Sequence, residues 1–239
     1  TALVTIMHAN NETGTIQPLR QVSDLAKARG ALVHTDAAQS VGKVRVDVEE
    51  LGVDLLSVAG HKLNAPKGVG ALYVRRGTPI APFMLGAGHE RGLRPGTENV
   101  ASIVGLGAAC AVAATTLESK TRRLYELRER LFRSLKSAIS DLSINGGTAE
   151  RLPNTLSARF PRTRGSDVLA ATPEIAASTG SACHAGHESA SGVLLAMGLA
   201  PDDALSTVRL SVGVTTTEAD VDRAAEALVR GWRVACGRA

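Results

Sequence analysis

Cysteine is scarce. The 239 residues contain three, Cys110, Cys183 and Cys236. Three dispersed cysteines cannot build a disulfide framework, which excludes the small stapled secreted class and points to a reducing compartment, the cytoplasm. No apolar run is expected to reach the roughly 18–20 residues that a membrane-spanning helix needs. Charge of one sign is also lacking: 27 basic residues face 23 acidic ones, for a net +4. The densest basic run, Lys120 to Lys136, is interleaved with Glu126 and Glu129. It reads as a solvated helix face, not a nucleic-acid stripe, so no direct nucleic-acid contact is expected. The 24 glycines and 9 prolines follow no period, which excludes collagen and low-complexity linkers. With 44% hydrophobic residues, wholesale disorder is excluded as well. The length suits one large domain or two modest ones.

The chain also opens without Met or a basic-plus-apolar targeting segment. It begins inside a strand-like run, Ala2 to Met7, followed at once by a polar loop, His8 to Gln17. The expectation is that an upstream part is missing.

What is present alternates. Pro18 suits a first helical position, Leu19, Val22, Leu25 and Ala26 form a 3.6-residue stripe, and Gly30 is a stop signal. Short apolar runs at Ala31–Thr35, Val53–Val58 and Gly70–Val74 read as buried strands. Strands alternating with helical patterns predict an α/β fold with a mostly parallel sheet. From about Asn99 to Ile139 the pattern is helical, first small and apolar, then amphipathic through Leu124, Leu127, Leu131 and Leu135. Beyond it, strands are expected at Asn154–Phe160, Glu174–Ala177 and Thr207–Val212. Helices are expected near Ser166–Ala171 and Ser189–Met197 and from Thr217, where Asp220 completes a capping-box-like start.

Three strand ends each deliver a polar group: Asn11, Asp36 and Lys62. In open parallel sheets, ligands bind at the carboxyl ends of strands. An Asp there can keep a pyridinium nitrogen protonated, and a Lys beside it can form a Schiff base. Taken singly, Lys62 reads as an ordinary loop lysine, Asp36 as a turn residue and Gln39 as a surface amide. Their order and spacing together point to pyridoxal 5'-phosphate (PLP).

Longer motifs carry more. Met7-His8-Ala9-Asn10-Asn11-Glu12-Thr13-Gly14, His34-Thr35-Asp36-Ala37-Ala38-Gln39-Ser40, Gly60-His61-Lys62 and Gly88-His89-Glu90-Arg91-Gly92-Leu93-Arg94-Pro95-Gly96-Thr97 closely resemble the cysteine desulfurases. These are fold-type I PLP enzymes of the class V aminotransferase group. The resemblance continues through Leu152-Pro153-Asn154-Thr155 and Ser178-Thr179-Gly180-Ser181-Ala182-Cys183 to Val208-Arg209-Leu210-Ser211, and so covers nearly the whole chain. It implies the C-terminal part of a PLP-binding large domain over residues 1–115. A smaller α+β domain would follow over 116–239.

The resemblance also implies roles. Lys62 would bond the cofactor and shuttle protons at the substrate α-carbon. Asp36 would pair with the pyridine nitrogen, Gln39 and Asn11 would touch the phenolic oxygen, and His61 would help hold the phosphate. Thr97 would reach the phosphate of a partner subunit's PLP, which implies a homodimer. Arg209, with Asn11 nearby, would clamp the carboxylate of L-cysteine, a task suited to a bidentate guanidinium. Cys183 would take the substrate's sulfur as a persulfide and pass it to an acceptor protein. Iron–sulfur scaffolds, tRNA thiolation and DNA sulfur modification are all compatible acceptor routes. His184 could lower the thiol pKa if protonated. Cys110 and Cys236 read as buried structural cysteines. Cys183, His184 and His187 could be read as metal ligands, but with no second Cys or His cluster no metal is expected.

Three departures qualify the resemblance. Ala59 stands where the family's Ser-Gly-His-Lys motif donates a hydroxyl to the phosphate. Val214 replaces a common Arg. An N-terminal part carrying a phosphate loop and a ring-stacking His is lacking, so the chain is expected to be a fragment, half of a split enzyme or a degenerate relative. A selenocysteine lyase, another class V lyase or aminotransferase, and a silent binding subunit are the alternatives.

Overall fold

The structure is a computed structural model that describes residues 1–179 and 189–237. These divide into two compact units. The first comprises Thr1–Ala9 and Gln17–Leu117, the second Asn10–Ile16 and Glu118–Ala239.

The first unit is built on a four-stranded sheet in the order β1 (Leu3–Met7), β2 (Leu32–Asp36), β3 (Leu55–Ala59), β4 (Gly70–Val74). β1, β2 and β3 run parallel, and β4 returns antiparallel. The fold is therefore α/β with a mostly parallel sheet. Two helices accompany these strands, α1 (Leu19–Lys27) and α2 (Val48–Leu51). Asp47 starts α2 by accepting the backbone N–H groups of Glu49 and Glu50, and Gly52 ends it in the left-handed region. One sheet face buries Val33, Thr35 and Leu56 with Ala26, Ala31, Ala37 and Val53. On the other, Leu3 (46%), Met7 (40%) and Leu72 (49%) stay exposed.

The second unit holds a three-stranded antiparallel sheet in the order β5 (Ser143–Ile144), β6 (Thr155–Arg159), β7 (Thr207–Ser211). The helices α4 (Gly165–Ala170), α5 (Gly192–Ala196), α6 (Pro201–Leu205) and α7 (Glu218–Ala235) belong to it. Its core unites the Leu124, Leu127, Leu131 and Leu135 stripe with Phe160, Val168, Val208, Leu228 and Trp232. Thr217 and Asp220 do form a capping box at the start of α7.

α3 (Val100–Ala138) is one unbroken helix of 39 residues, its first half in the first unit and its second half in the other. Two expectations fail on it. Residues 100–117 contain no charged side chain, and the helix is long and apolar enough, by length and composition, to cross a membrane, its 18-residue window having a mean hydropathy of 1.9. Ala, Gly, Ser and Thr dilute this stretch among its Val, Ile and Leu, which hides its length as an apolar run. Cys110, expected to be buried, is exposed. This half of the helix packs by one side only. A side chain at Gly105 would lie 2.8 Å from Pro66, and Leu106 is buried, whereas Val100, Val104 and Val112 are exposed.

Other expectations shift as well. Glu174–Ala177 is not a strand; pairing there reduces to a single bridge between Ser178 and Arg209. α5 begins at Gly192, with Ser191 as its cap, not at Ser189. Cys236 is half-buried, its Sγ 3.6 Å from the Pro161 carbonyl oxygen. Within the solvated run on α3, Arg128 is buried.

Candidate active site

In the first unit the C-terminal ends of the parallel strands gather the polar groups. Val33 and Thr35 point into the buried face, so alternation turns His34 and Asp36 to the other one. Asp36 is the last residue of β2 and is exposed. Its Oδ1 accepts the backbone N–H of Ala38 at 2.8 Å, an Asx-type turn that engages one carboxylate oxygen. The turn continues through Ser40 and Val41, both bonded to the Ala37 carbonyl, and closes at Gly42 with φ +73°. Gln39 rides on this turn.

Lys62 is delivered similarly at the end of β3. Gly60 opens a single 3-10 turn, Gly60–Leu63. A Cβ at Gly60 would sit 2.7 Å from the Val69 carbonyl oxygen, while the Gly60 N–H donates to that same oxygen at 2.9 Å. Only glycine lets the chain approach so closely. Leu63 is buried as the anchor of the turn, which leaves His61 and Lys62 exposed. Thr97, also exposed, follows Gly96 (φ +100°) in a segment where Arg94 Nη1 donates to the Gly96 carbonyl at 3.0 Å.

A polar row beneath these ends escaped the sequence reading. His34 Nδ1 lies 2.6 Å from Thr5 Oγ1, and its Nε2 lies 2.9 Å from Ser57 Oγ. Thr5, His34 and Ser57 each stand two residues before the last residue of their strand, and that shared spacing was the available signal. His8 and Ser40 form a second, buried pair at 2.9 Å.

In the second unit the loop 10–16 carries Asn11. Asn10 Oδ1 accepts the N–H groups of Glu12 and Thr13, both at 2.9 Å. Gly14 has φ +75°, and a Cβ there would touch Thr155 at 3.0 Å. Arg209, on β7, donates from Nη1 to the Asn11 carbonyl at 3.0 Å. Arg128 braces the loop indirectly. Its Nη1 donates to the Leu152 carbonyl at 2.8 Å, and the Leu152 N–H donates to the Gly14 carbonyl, also at 2.8 Å. Burial, followed by the nearby Arg128 charge, lowers the Arg151 pKa.

Asp36, Gln39, His61, Lys62 and Thr97 thus stand in the first unit, and Asn11 and Arg209 in the second. Cys183, His184 and His187 lie outside the described residues. Among the described residues no three His, Cys, Asp or Glu side chains cluster as a metal site.

The class V aminotransferase family model matches residues 1–224, and the chain belongs to that family. A cysteine desulfurase of Trichormus azollae is 44% identical over 230 residues, which cover 95% of this chain and 58% of the relative. The solved structure of a NifS-like protein superposes with a TM-score of 0.86 at 38% identity, over 96% of this chain and 60% of that one. A structure described as SspA in complex with cysteine superposes with a TM-score of 0.72 at 36% identity, over 88% of this chain and 58% of that one. The chain therefore spans about three fifths of the length of these relatives.

Proposed function

We propose that this chain carries a large share of the active site of a PLP-dependent cysteine desulfurase. Such an enzyme converts L-cysteine to L-alanine and leaves the sulfur as a persulfide on Cys183. The observation that carries the reading is the pair of exposed side chains, Asp36 and Lys62, at the carboxyl ends of adjacent parallel strands.

The donor set suits the cofactor. A carboxylate ends β2, an amide follows on the next turn, and an imidazole and an amine stand on the turn after β3, while the Ala38 N–H engages only one Asp36 oxygen. Lys62 would hold PLP through Nζ, Asp36 would meet the ring nitrogen, and Gln39 and Asn11 the phenolic oxygen. His61 would hold the phosphate, joined by Thr97 from the partner subunit of a homodimer. The exposed apolar run Phe83 (100%), Met84 (53%) and Leu85 (89%), in the same segment as Thr97, supports that dimer. PLP, when bound, supplies an electron sink for bond changes at the substrate α-carbon.

The remaining chemistry falls to side chains of this chain. Arg209 grips the substrate carboxylate, its fork steadied by the Asn11 carbonyl. Lys62 Nζ moves the proton at the α-carbon. Cys183, as thiolate, attacks the substrate sulfur; an S–S bond forms as the C–S bond breaks, the C–S electron pair stays with the substrate β-carbon, which takes up a proton, and alanine departs. An acceptor protein then takes the outer sulfur. The thiol chemistry suits a reducing compartment, the cytoplasm.

The test is direct. Full-length protein given PLP should show a visible absorbance band that borohydride abolishes, and Lys62→Ala should lose both the band and alanine formation. Alanine formation unchanged by Lys62→Ala would overturn the reading.

A further inference from the structure

The longest-range side-chain pair in the loop 10–16 has no part in the chemistry above. Ser191 Oγ donates to Glu12 Oε2 at 2.5 Å across 179 residues of sequence. Both residues are buried, Glu12 at 9% exposure and Ser191 at 3%. Ser191 also caps α5: its Oγ accepts the Leu194 N–H at 3.3 Å. The hydroxyl therefore uses its one proton on Glu12 and a lone pair on the helix.

A cap needs no carboxylate partner, and burying a carboxylate is costly where plain packing would serve. The loop is stiff, since Asn10 ties Glu12, Thr13 and Gly14 together. A force applied at Glu12 is therefore felt at the neighbouring Asn11, whose carbonyl receives Arg209. α5 has only five residues, too few to be stable alone, so its start needs an outside anchor.

We propose that Glu12 and Ser191 are positioning residues. Their buried hydrogen bond fixes the loop that presents Asn11 and orients Arg209 onto the first turn of α5. The substrate-carboxylate grip is thereby steadied by a bond whose two partners lie 179 residues apart in sequence. The kinetic consequence rests on the desulfurase reading; the structural one does not.

The test is a reversal of the pair in the full-length protein. Ser191→Asp keeps a good helix cap but places a second carboxylate against Glu12. Adding Glu12→Gln lets an amide donate to that Asp and restores the bond. In Ser191→Asp, amide hydrogen exchange at Glu12 and Thr13 should quicken about tenfold, and the KM for cysteine should rise about tenfold with kcat changing less. The double variant should return both to near the starting values. A purely capping role predicts no change at either place. Exchange at Glu12 and Thr13 unaltered by Ser191→Asp, or a double variant no better than the single, would overturn the proposal. If Ser191→Asp does not fold, Glu12→Met, which fills the space but accepts no hydrogen bond, carries the same expectation and the same refutation. If the unaltered protein makes no alanine, the desulfurase reading falls, and the exchange data alone decide the pairing.

Discussion

Ala59 ends β3 with a methyl group immediately before the turn that carries His61 and Lys62. A hydroxyl at this position would add one donor for a phosphate. Ala59→Ser should therefore tighten PLP binding by several-fold, on the order of 0.5–1.5 kcal/mol, as measured by equilibrium titration of the visible band. Unchanged affinity would place the phosphate elsewhere. The residues at strand ends were legible in the sequence because a short apolar run followed by Asp or Gly-His-Lys marks where a strand stops. Glu12 with Ser191 was not, because nothing local to either residue announces a partner so distant. Cys110 was misread because an Ala-rich helix half lacks the polar positions that would mark its exposed side.

At the scale of elements, α7 depends on its first turn. Thr217 Oγ1 donates to Asp220 Oδ2 at 2.7 Å and accepts the Asp220 N–H at 3.1 Å. The Thr217 side chain and backbone bonds lower the Asp220 pKa. A carboxylate with a lowered folded-state pKa contributes stability above its unfolded value of about 3.9, and that contribution is lost as pH falls through the folded pKa. Thr217→Ala should cost about 1 kcal/mol at neutral pH, by denaturant titration. The difference from the parent should shrink as the pH is taken down through the lowered Asp220 pKa. A glycine contact gives a second prediction. A Cβ at Gly231 would lie 2.5 Å from Thr172 Cγ2 and 3.0 Å from the Val168 carbonyl oxygen, where α7 meets α4. Gly231→Ala should therefore destabilise by about 1–3 kcal/mol despite its higher helix propensity, in the same titration. Stabilisation would mean that the two helices part easily. The helices and long strands were readable from their periodicity and caps. The segment Glu174–Ala177 was not, because a short apolar run says nothing about whether a neighbouring strand offers it more than one bridge.

At the scale of the whole molecule, the proposed functional residues are shared between two units, and the loop 10–16 belongs to the second although the first encloses it in sequence. A boundary drawn along the chain cannot express that, since loop membership is decided by contacts such as Leu152 N–H to Gly14 O and Thr15 with Arg151. The chain spans about three fifths of its relatives' length. It still holds the strand ends on which the proposed chemistry depends. Cys183 gives a prediction at this scale: Cys183→Ser should keep the PLP band and lose persulfide formation from cysteine, by thiol-selective labelling and mass spectrometry. The most direct test of the central claim is to saturate the full-length protein with PLP, reduce it with borohydride and map the modified peptide. The expected result is a pyridoxyl adduct on Lys62 alone, absent from Lys62→Ala. An adduct on another lysine, or a protein that stays colourless with PLP in excess, would contradict it.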